Sequence, residues 1–320
     1  MSGSHDTSST KHDGVNMKPV TAYRFAAASI GALAVFLSLD AFGVFDADAQ
    51  ELSSADRITV SRSGEDLGAS VVYIPGLATP GAVYAPLVEQ QADWDNHVVT
   101  LNGFGGGTEA PAALESVVEG AASEVAAYLE AENLEDVILV GHSMGAQVAL
   151  LTAGSTSDRV AHVVVVDSAP FFSGLMQPGV TEEMMAPQAA AIRQQMSAMP
   201  REAYLQMMAQ GLRVQSITED GKAQVMAWIE QADQRTVAAA TAEIMATDFA
   251  PRLSAVQAPV TLLYAEFPEM APEQIRQMFV SQYEGRVELE ARGVADSRHF
   301  IMLDQPERFS AEIERVVEGD

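Results

Sequence analysis

The stretch Val137–Leu151, VILVGHSMGAQVALL, constrains the fold of this chain more than any other. Val137–Val140 is a run of branched apolar residues, which predicts a strand buried on both faces. From Met144 onward the apolar residues continue in a pattern that suits a helix over Met144–Ala153. Only Gly141, His142 and Ser143 join the two. So short a connection forces a sharp turn whose apex residue is driven towards an unfavourable backbone conformation. Residues around that apex must be small, or their Cβ atoms collide with the strand and the helix; Gly141 and Gly145 meet this need. The turn lifts the Ser143 hydroxyl clear of the sheet at a helix N-terminus, where free N–H groups and the helix dipole favour developing negative charge. This is the G-x-S-x-G elbow of a nucleophilic serine in its confirming context of strand, turn and helix.

A strand buried on both faces needs neighbours of its own kind. The sequence offers them at Arg57–Ser61, Ser70–Ile74, Val98–Leu101, His162–Val166, Pro259–Tyr264 and Arg286–Ala291. Helical stretches alternate with them at Val83–Gln91, Ala112–Glu132, Pro272–Tyr283 and Pro306–Val317. Repeated strand–helix–strand units predict an α/β protein with a doubly wound, mostly parallel sheet and helices on both faces. The alternation stops after Asp167. Between Pro170 and Asp248 no strand pattern occurs, and TEEMMAPQAAAIRQQMSAMP, REAYLQMMAQGLRVQ and GKAQVMAWIEQADQRTVAAATAEIMA read as successive helices. The expected organisation is therefore an N-terminal lead over residues 1–49, a first core part over 50–169, a helical cap over 170–248 and a second core part over 249–320. The cap holds Met176, Met184, Met185, Met196, Met199, Met207, Met208, Met226 and Met245. Methionines are adaptable and polarizable: they suit a surface receiving varied apolar shapes, and equally the packing of the cap's own small core.

The lead has a different character. Residues 1–16 are polar and without periodicity, and His5 and His12 lie there apart from any site. Lys18 and Arg24 then precede an apolar run, Phe25–Leu39, which is shorter than the ~20 residues a membrane span needs and is followed by Asp40. Ala47-Asp48-Ala49 places small residues where a signal peptidase reads them. The expectation is a signal peptide starting at Met17 and cleaved between Ala49 and Gln50, so that the protein is exported to a periplasm or secreted. An uncleaved N-terminal membrane anchor is the alternative. With no cysteine in the chain, disulfides, thiolate chemistry and cysteine metal sites are excluded. A formal net charge of −26 argues against nucleic acid and anionic membranes as partners and for solubility, as is often seen where salt is high.

With the elbow in place, the chain from Asp56 to Asp320 resembles the α/β-hydrolase family. GHSMG matches the family's elbow, VVYIPGLATPGAVYAPLVEQ its oxyanion loop, LNGFGGG its glycine-rich turn, and SRHFIMLDQPERF the segment that carries its histidine. The resemblance implies a catalytic serine, Ser143, and a base, His299, after the last strand. It implies oxyanion donors at the backbone N–H of Met144 and of Leu77; Pro75-Gly76 stands where the family has His-Gly, a departure of small consequence because the donor is backbone. His142 is expected to pack locally, and His97 and His162 to be structural. The acid departs from the usual pattern. The loop after the strand that follows the cap puts Pro268 in the acid's register, with Glu266 and Glu269 adjacent. A second family position, directly after the strand that precedes the cap, holds Asp167 at the end of VVVVD. Asp167 is the favoured acid and Glu269 or Glu266 the alternatives, with Asp248 and Asp304 read as structural.

A serine nucleophile with a histidine base and an oxyanion hole performs acyl transfer. The expected activity is carboxylic ester hydrolysis through an acyl-enzyme, on a small-molecule substrate with a hydrophobic group, without metal or organic cofactor. Lactone, thioester, amide or carbon–carbon bond hydrolysis and cofactor-free haloperoxidase or perhydrolase chemistry remain open on the same residues, because fold and triad do not distinguish them. A non-catalytic ligand receptor of the same fold, or an interaction role at the cell envelope, is the alternative from another class. Oligomeric state is not legible.

Overall fold

The computed structural model describes residues 1, 50–54, 57–64, 68–105, 110–111 and 114–319. The expected signal peptide, with His5 and His12, lies outside the described residues. Residues 44–320 form one compact unit, and the other unit, residues 1–43, is described only at Met1.

Among the described residues, eight strands form one sheet. In chain order they are β1 (Gln50–Ser54), β2 (Ile58–Gly64), β3 (Ser70–Ile74), β4 (Asp95–Leu101), β5 (Val137–His142), β6 (Val160–Val166), β7 (Val260–Glu266) and β8 (Leu289–Ala295). Their spatial order is β1-β2-β4-β3-β5-β6-β7-β8. β1–β2 and β2–β4 pair antiparallel, and every pair from β4 to β8 is parallel. The helices are α1 (Ala85–Gln90), α2 (Val117–Ala131), α3 (Met144–Ser155), α4 (Phe172–Met176), α5 (Glu182–Ala198), α6 (Arg201–Gly211), α7 (Glu219–Gln231), α8 (Gln234–Ala246), α9 (Pro272–Val280), α10 (Ile301–Asp304) and α11 (Pro306–Glu318). The mostly parallel α/β sheet expected from the sequence is the one observed.

The central strands are apolar because both their faces are covered. Val137, Leu139 and Val140 of β5 and Val163–Val166 of β6 have no exposed surface, and each such side chain contributes about 1.5–3 kcal/mol relative to exposure. Several boundaries differ from the sequence expectation, four of them for a visible reason. β4 starts at Asp95 instead of Val98, because the polar side chains of Asp95, Asn96 and His97 are buried and bonded inside: Asp95 to Arg62, Asn96 to the Tyr73 hydroxyl and His97 to that of Tyr128. β8 runs Leu289–Ala295 instead of Arg286–Ala291, because the Arg286 N–H still closes a turn onto Tyr283 C=O. α2 starts at Val117 instead of Ala112, after Ser116 in a left-handed conformation. Its first N–H groups are capped by a distant carboxylate: Glu243 accepts from Val118 and Glu119. The Val83–Gln91 helix divides into a 3₁₀ turn at Gly81–Tyr84 and α1. β1 was not foreseen at all.

Between β6 and β7 the described chain is helical, from α4 to α8. The last long stretch breaks into α7 and α8 at Ala232–Asp233. Both helices start on residues suited to a cap: the Thr218 hydroxyl accepts from Gly221 N–H at 2.9 Å and the Asp233 carboxylate from Thr236 N–H at 2.7 Å. α8 buries Val237, Ala238, Ala239, Ala240 and Ala242, small residues that let α5 and α2 pack against it. Of the insertion's methionines, Met185 and Met196 are buried, Met199, Met207 and Met208 pack partly against the core, and Met176 and Met184 are exposed. No helix among the described residues is long and apolar enough to cross a membrane.

Candidate active site

Ser143 occupies the corner between β5 and α3 with φ 54° and ψ −122°, a strained conformation for a residue with a side chain. The strain persists because the surroundings hold it. Ser143 N–H donates to Val166 C=O at 2.9 Å, and Ser143 C=O accepts from Ala146 N–H at 3.0 Å and from the Ser168 hydroxyl at 2.7 Å. The flanking glycines are required by space. A Cβ on Gly141 would lie 2.5 Å from Ala146 Cα, and one on Gly145 would lie 2.2 Å from Ile74 O. The Ser143 hydroxyl does not cap the helix it begins, so it is not engaged by its own helix.

Asp167 follows β6 and is also at positive φ, 47°. Its N–H donates to Leu263 C=O at 2.7 Å and its Oδ1 accepts from Ala265 N–H at 2.9 Å, so β7 fixes the carboxylate. The other oxygen, Oδ2, lies 2.7 Å from Nδ1 of His299, in the loop after β8. With Asp167 ionised, Nδ1 carries the proton and Nε2 presents a lone pair. The residues after Asp167 are tied down too: Tyr283 donates its hydroxyl to Ser168 C=O at 2.9 Å, and Gln147 Nε2–H donates to Ala169 C=O at 3.0 Å. Burial, and then the Asp167 charge, push the Tyr283 hydroxyl pKa up, so it donates as a neutral phenol.

The His299 ring meets the elbow through His142. Their ring centroids are 4.6 Å apart, and His142 Nε2–H donates to His299 C=O at 2.9 Å. That bond leaves Nδ1 of His142 as the bare nitrogen, buried and without a partner among the described residues. Burial, and secondarily the charge of His299, hold the His142 pKa well below the ordinary 6.5, so it stays neutral. The structure thus brings the Ser143, Asp167 and His299 segments together at the carboxyl ends of the parallel strands, where ligands bind in open α/β sheets.

The loop after β3 approaches the same corner. Leu77 N–H donates to no group among the described residues, and the Met144 N–H, first of α3, has no helical carbonyl a turn before it. A Cβ on Gly76 would lie 3.0 Å from Ser143 Cβ, which shows how closely this loop passes the serine. The remaining sequence candidates lie elsewhere. Glu269 is exposed and pairs with Arg298, which holds its carboxyl below the usual range. Glu266 ends β7, half-buried and in register with Ala295. His97 bonds the Tyr128 hydroxyl, and His162 Nε2 lies 2.9 Å from Thr261 Oγ1. Asp248 accepts from Ala250 N–H. No group of three metal-ligating side chains occurs among the described residues.

A doubly wound sheet with a strained serine at a helix start and a histidine–carboxylate pair beside it defines a class of proteins. Residues 71–312 match the family model described as alpha/beta hydrolase family, and the chain belongs to that family. Among curated proteins it is similar to the karrikin insensitive 2 receptor CA of Petunia hybrida, 30% identical over 123 residues, 37% of this chain and 44% of that one. It is also similar to the lipase LipV of Mycobacterium tuberculosis, 29% identical over 127 residues, 40% of this chain and 48% of that one. The chain thus matches less than half the length of these curated relatives. Among solved structures, the esterase RhEst1 from Rhodococcus sp. ECU1013 covers 84% of this chain with 98% of its own, at TM-score 0.66 and 21% identity.

Proposed function

We propose that this protein is a serine hydrolase that cleaves carboxylic esters carrying a hydrophobic group. The observation that carries the reading is the 2.7 Å contact between His299 Nδ1 and Asp167 Oδ2 beside a serine held at φ 54°. In this reading His299 Nε2 takes the Ser143 proton as Oγ attacks the ester carbonyl. The oxyanion of the tetrahedral intermediate is met by the N–H groups of Leu77 and Met144, neither of which has a competing partner among the described residues. The intermediate collapses, the imidazolium gives its proton to the departing alcohol, and an acyl-Ser143 remains. Water then attacks that ester, loses a proton to His299, and the acid leaves as Ser143 regains its hydrogen. Asp167 orients the ring through Nδ1–H and stabilises the imidazolium.

The α4–α8 insertion, residues 170–248, acts in this proposal as a cap over the site, and its methionines suit an apolar acyl or alcohol group. Residues 17–49 act as an export signal cleaved before Gln50, which amino-terminal sequencing of the protein from an exporting host would test. The catalytic reading is tested by hydrolysis of p-nitrophenyl esters from acetate to palmitate, and by labelling with an organophosphorus probe. The parent is expected to hydrolyse the series with a chain-length optimum and to label at Ser143, while Ser143→Ala loses both. A folded parent inert to every ester and to the probe would overturn the esterase and favour a ligand receptor. Labelling without ester hydrolysis would point to lactone, thioester or carbon–carbon substrates.

A further inference from the structure

The segment that carries His299 is held at three consecutive residues. Arg298 N–H donates to Asp304 Oδ2 at 2.9 Å, His299 C=O accepts from His142 at 2.9 Å, and Phe300 N–H donates to Gln215 C=O at 2.8 Å. One of these three bonds leads directly to the helical insertion, and a second leads there through Asp304. Gln215 belongs to the turn between α6 and α7, and the next two residues of that turn bind Asp304 as well. Ile217 N–H lies 3.0 Å from Asp304 Oδ1 and 3.2 Å from Oδ2, and the Ser216 hydroxyl donates to Oδ1. Asp304 is 8% exposed and Ser216 has no exposed surface. A buried carboxylate thus receives the base's loop on one side and the insertion on the other.

An ionised carboxylate can accept from all these donors at once, because it carries two oxygens and no hydrogen. A carboxamide cannot, since its NH₂ would face N–H and O–H donors. Each of these bonds is also directional, so a shift of residues 215–217 is transmitted to the backbone at Arg298 and Phe300. We infer that Asp304 is a positioning residue that sets His299 and links its placement to the helical insertion. This rests on the proposal that His299 is the base. A loop that resettles by about 1 Å can lower the rate by ~100-fold without touching substrate.

The test compares Asp304→Asn, Ser216→Ala and Ser143→Ala with the parent. It reads kcat and KM on a p-nitrophenyl ester, and the low-field proton resonance of His299 Nδ1–H, assigned by its loss in His299→Gln. Asp304→Asn is expected to lower kcat by about 10- to 100-fold with a smaller change in KM, and to shift or broaden the His299 resonance in a folded protein. Ser216→Ala should do the same to a lesser degree, by about 2- to 10-fold. A folded Asp304→Asn with the parent's kcat and an unmoved resonance overturns the inference. Should Asp304→Asn fail to fold, an unmoved resonance and kcat in Ser216→Ala overturn it instead. If Ser143→Ala hydrolyses esters as the parent does, the serine hydrolase reading fails, while the resonance still decides whether Asp304 sets His299.

Discussion

Among the described residues there are two histidine–aspartate pairs, one at each end of the parallel strands. At the amino ends, His97 and Asp95 lie together at the start of β4, with Nε2 3.1 Å from Oδ2 and side-chain exposures of 0% and 4%. At the carboxyl ends, His299 and Asp167 stand 2.7 Å apart with exposures of 26% and 11%. The residue types are the same and the environments differ. His97 is enclosed, its Nδ1 bonded to the Tyr128 hydroxyl at 2.7 Å, while Asp95 is also held by Arg62. His299 keeps Nε2 without a hydrogen bond among the described residues, and its ring lies 4.6 Å from that of His142, the residue before the strained serine. A histidine–carboxylate pair is a means of fixing a ring's orientation. Whether the ring then does chemistry depends on whether its second nitrogen can reach a substrate or nucleophile.

The largest expected effect separates the two pairs directly. His299→Gln should lower kcat/KM on p-nitrophenyl esters by about 10⁴-fold or more, and Asp167→Asn by about 10³- to 10⁴-fold. His97→Gln should leave kcat/KM within about threefold and instead lower unfolding stability by about 1–3 kcal/mol, read by urea denaturation. If His97→Gln removed activity in a folded protein, or His299→Gln spared it, the assignment of the two pairs would be reversed.

Which pair is which was partly legible beforehand. VILVGHSMG announces its own strand, corner and helix because every requirement is local: branched residues for burial, two glycines for close approach, a serine between them. VVVVD likewise ends a buried strand on Asp167. The extension of β4 back to Asp95 was not legible, because nothing marks the polar Asp95 and Asn96 as strand until Arg62 and Tyr73 are known to bond them. For the same reason the cap of α2 was hidden: its carboxylate, Glu243, is 125 residues away from Val118. The ties on His299 come from His142, Gln215 and Asp304, two of them residues to which the sequence analysis assigned only local or structural parts. Patterns within an element can be read along the chain; hydrogen bonds between elements cannot.

The pairs also differ in how pH should act on them. Burial, outweighing the nearby Asp95 charge, lowers the pKa of His97 below its ordinary 6.5, and burial lowers that of His142 still further. A group whose pKa is lower when folded binds more protons when unfolded, so its contribution is complete above the unfolded value and shrinks as pH falls through the folded one. Stability should therefore decline as pH drops below about 6.5, and His97→Gln should flatten that decline in urea titrations at pH 7 and pH 5. Burial alone would raise the pKa of Asp95, but the Arg62 hydrogen bond and the His97 charge together outweigh it, so Asp95 adds a second loss only below the ordinary carboxylate value of 3.8. A slope between pH 7 and 5 unchanged by His97→Gln would mean that this histidine is not the neutral, enclosed group described.

The smallest expected effect concerns a carboxylate one ion pair away from the residue next to His299. Glu269 bonds Arg298, the neighbour of His299, and was an alternative acid on sequence grounds. An exposed ion pair contributes little because water screens it and two long side chains must be ordered to form it. In the proposed triad, moreover, the acid must meet Nδ1 of His299, and Asp167 Oδ2 lies 2.7 Å from that atom with its other oxygen held by Ala265 N–H. Glu269→Gln should therefore leave kcat/KM within about threefold of the parent, and Glu266→Gln likewise. A loss on the scale of Asp167→Asn would require the loop after β7 to swing onto His299 during turnover. The Asp167 contact would then be a resting arrangement, and the two histidine pairs would be alike in serving structure.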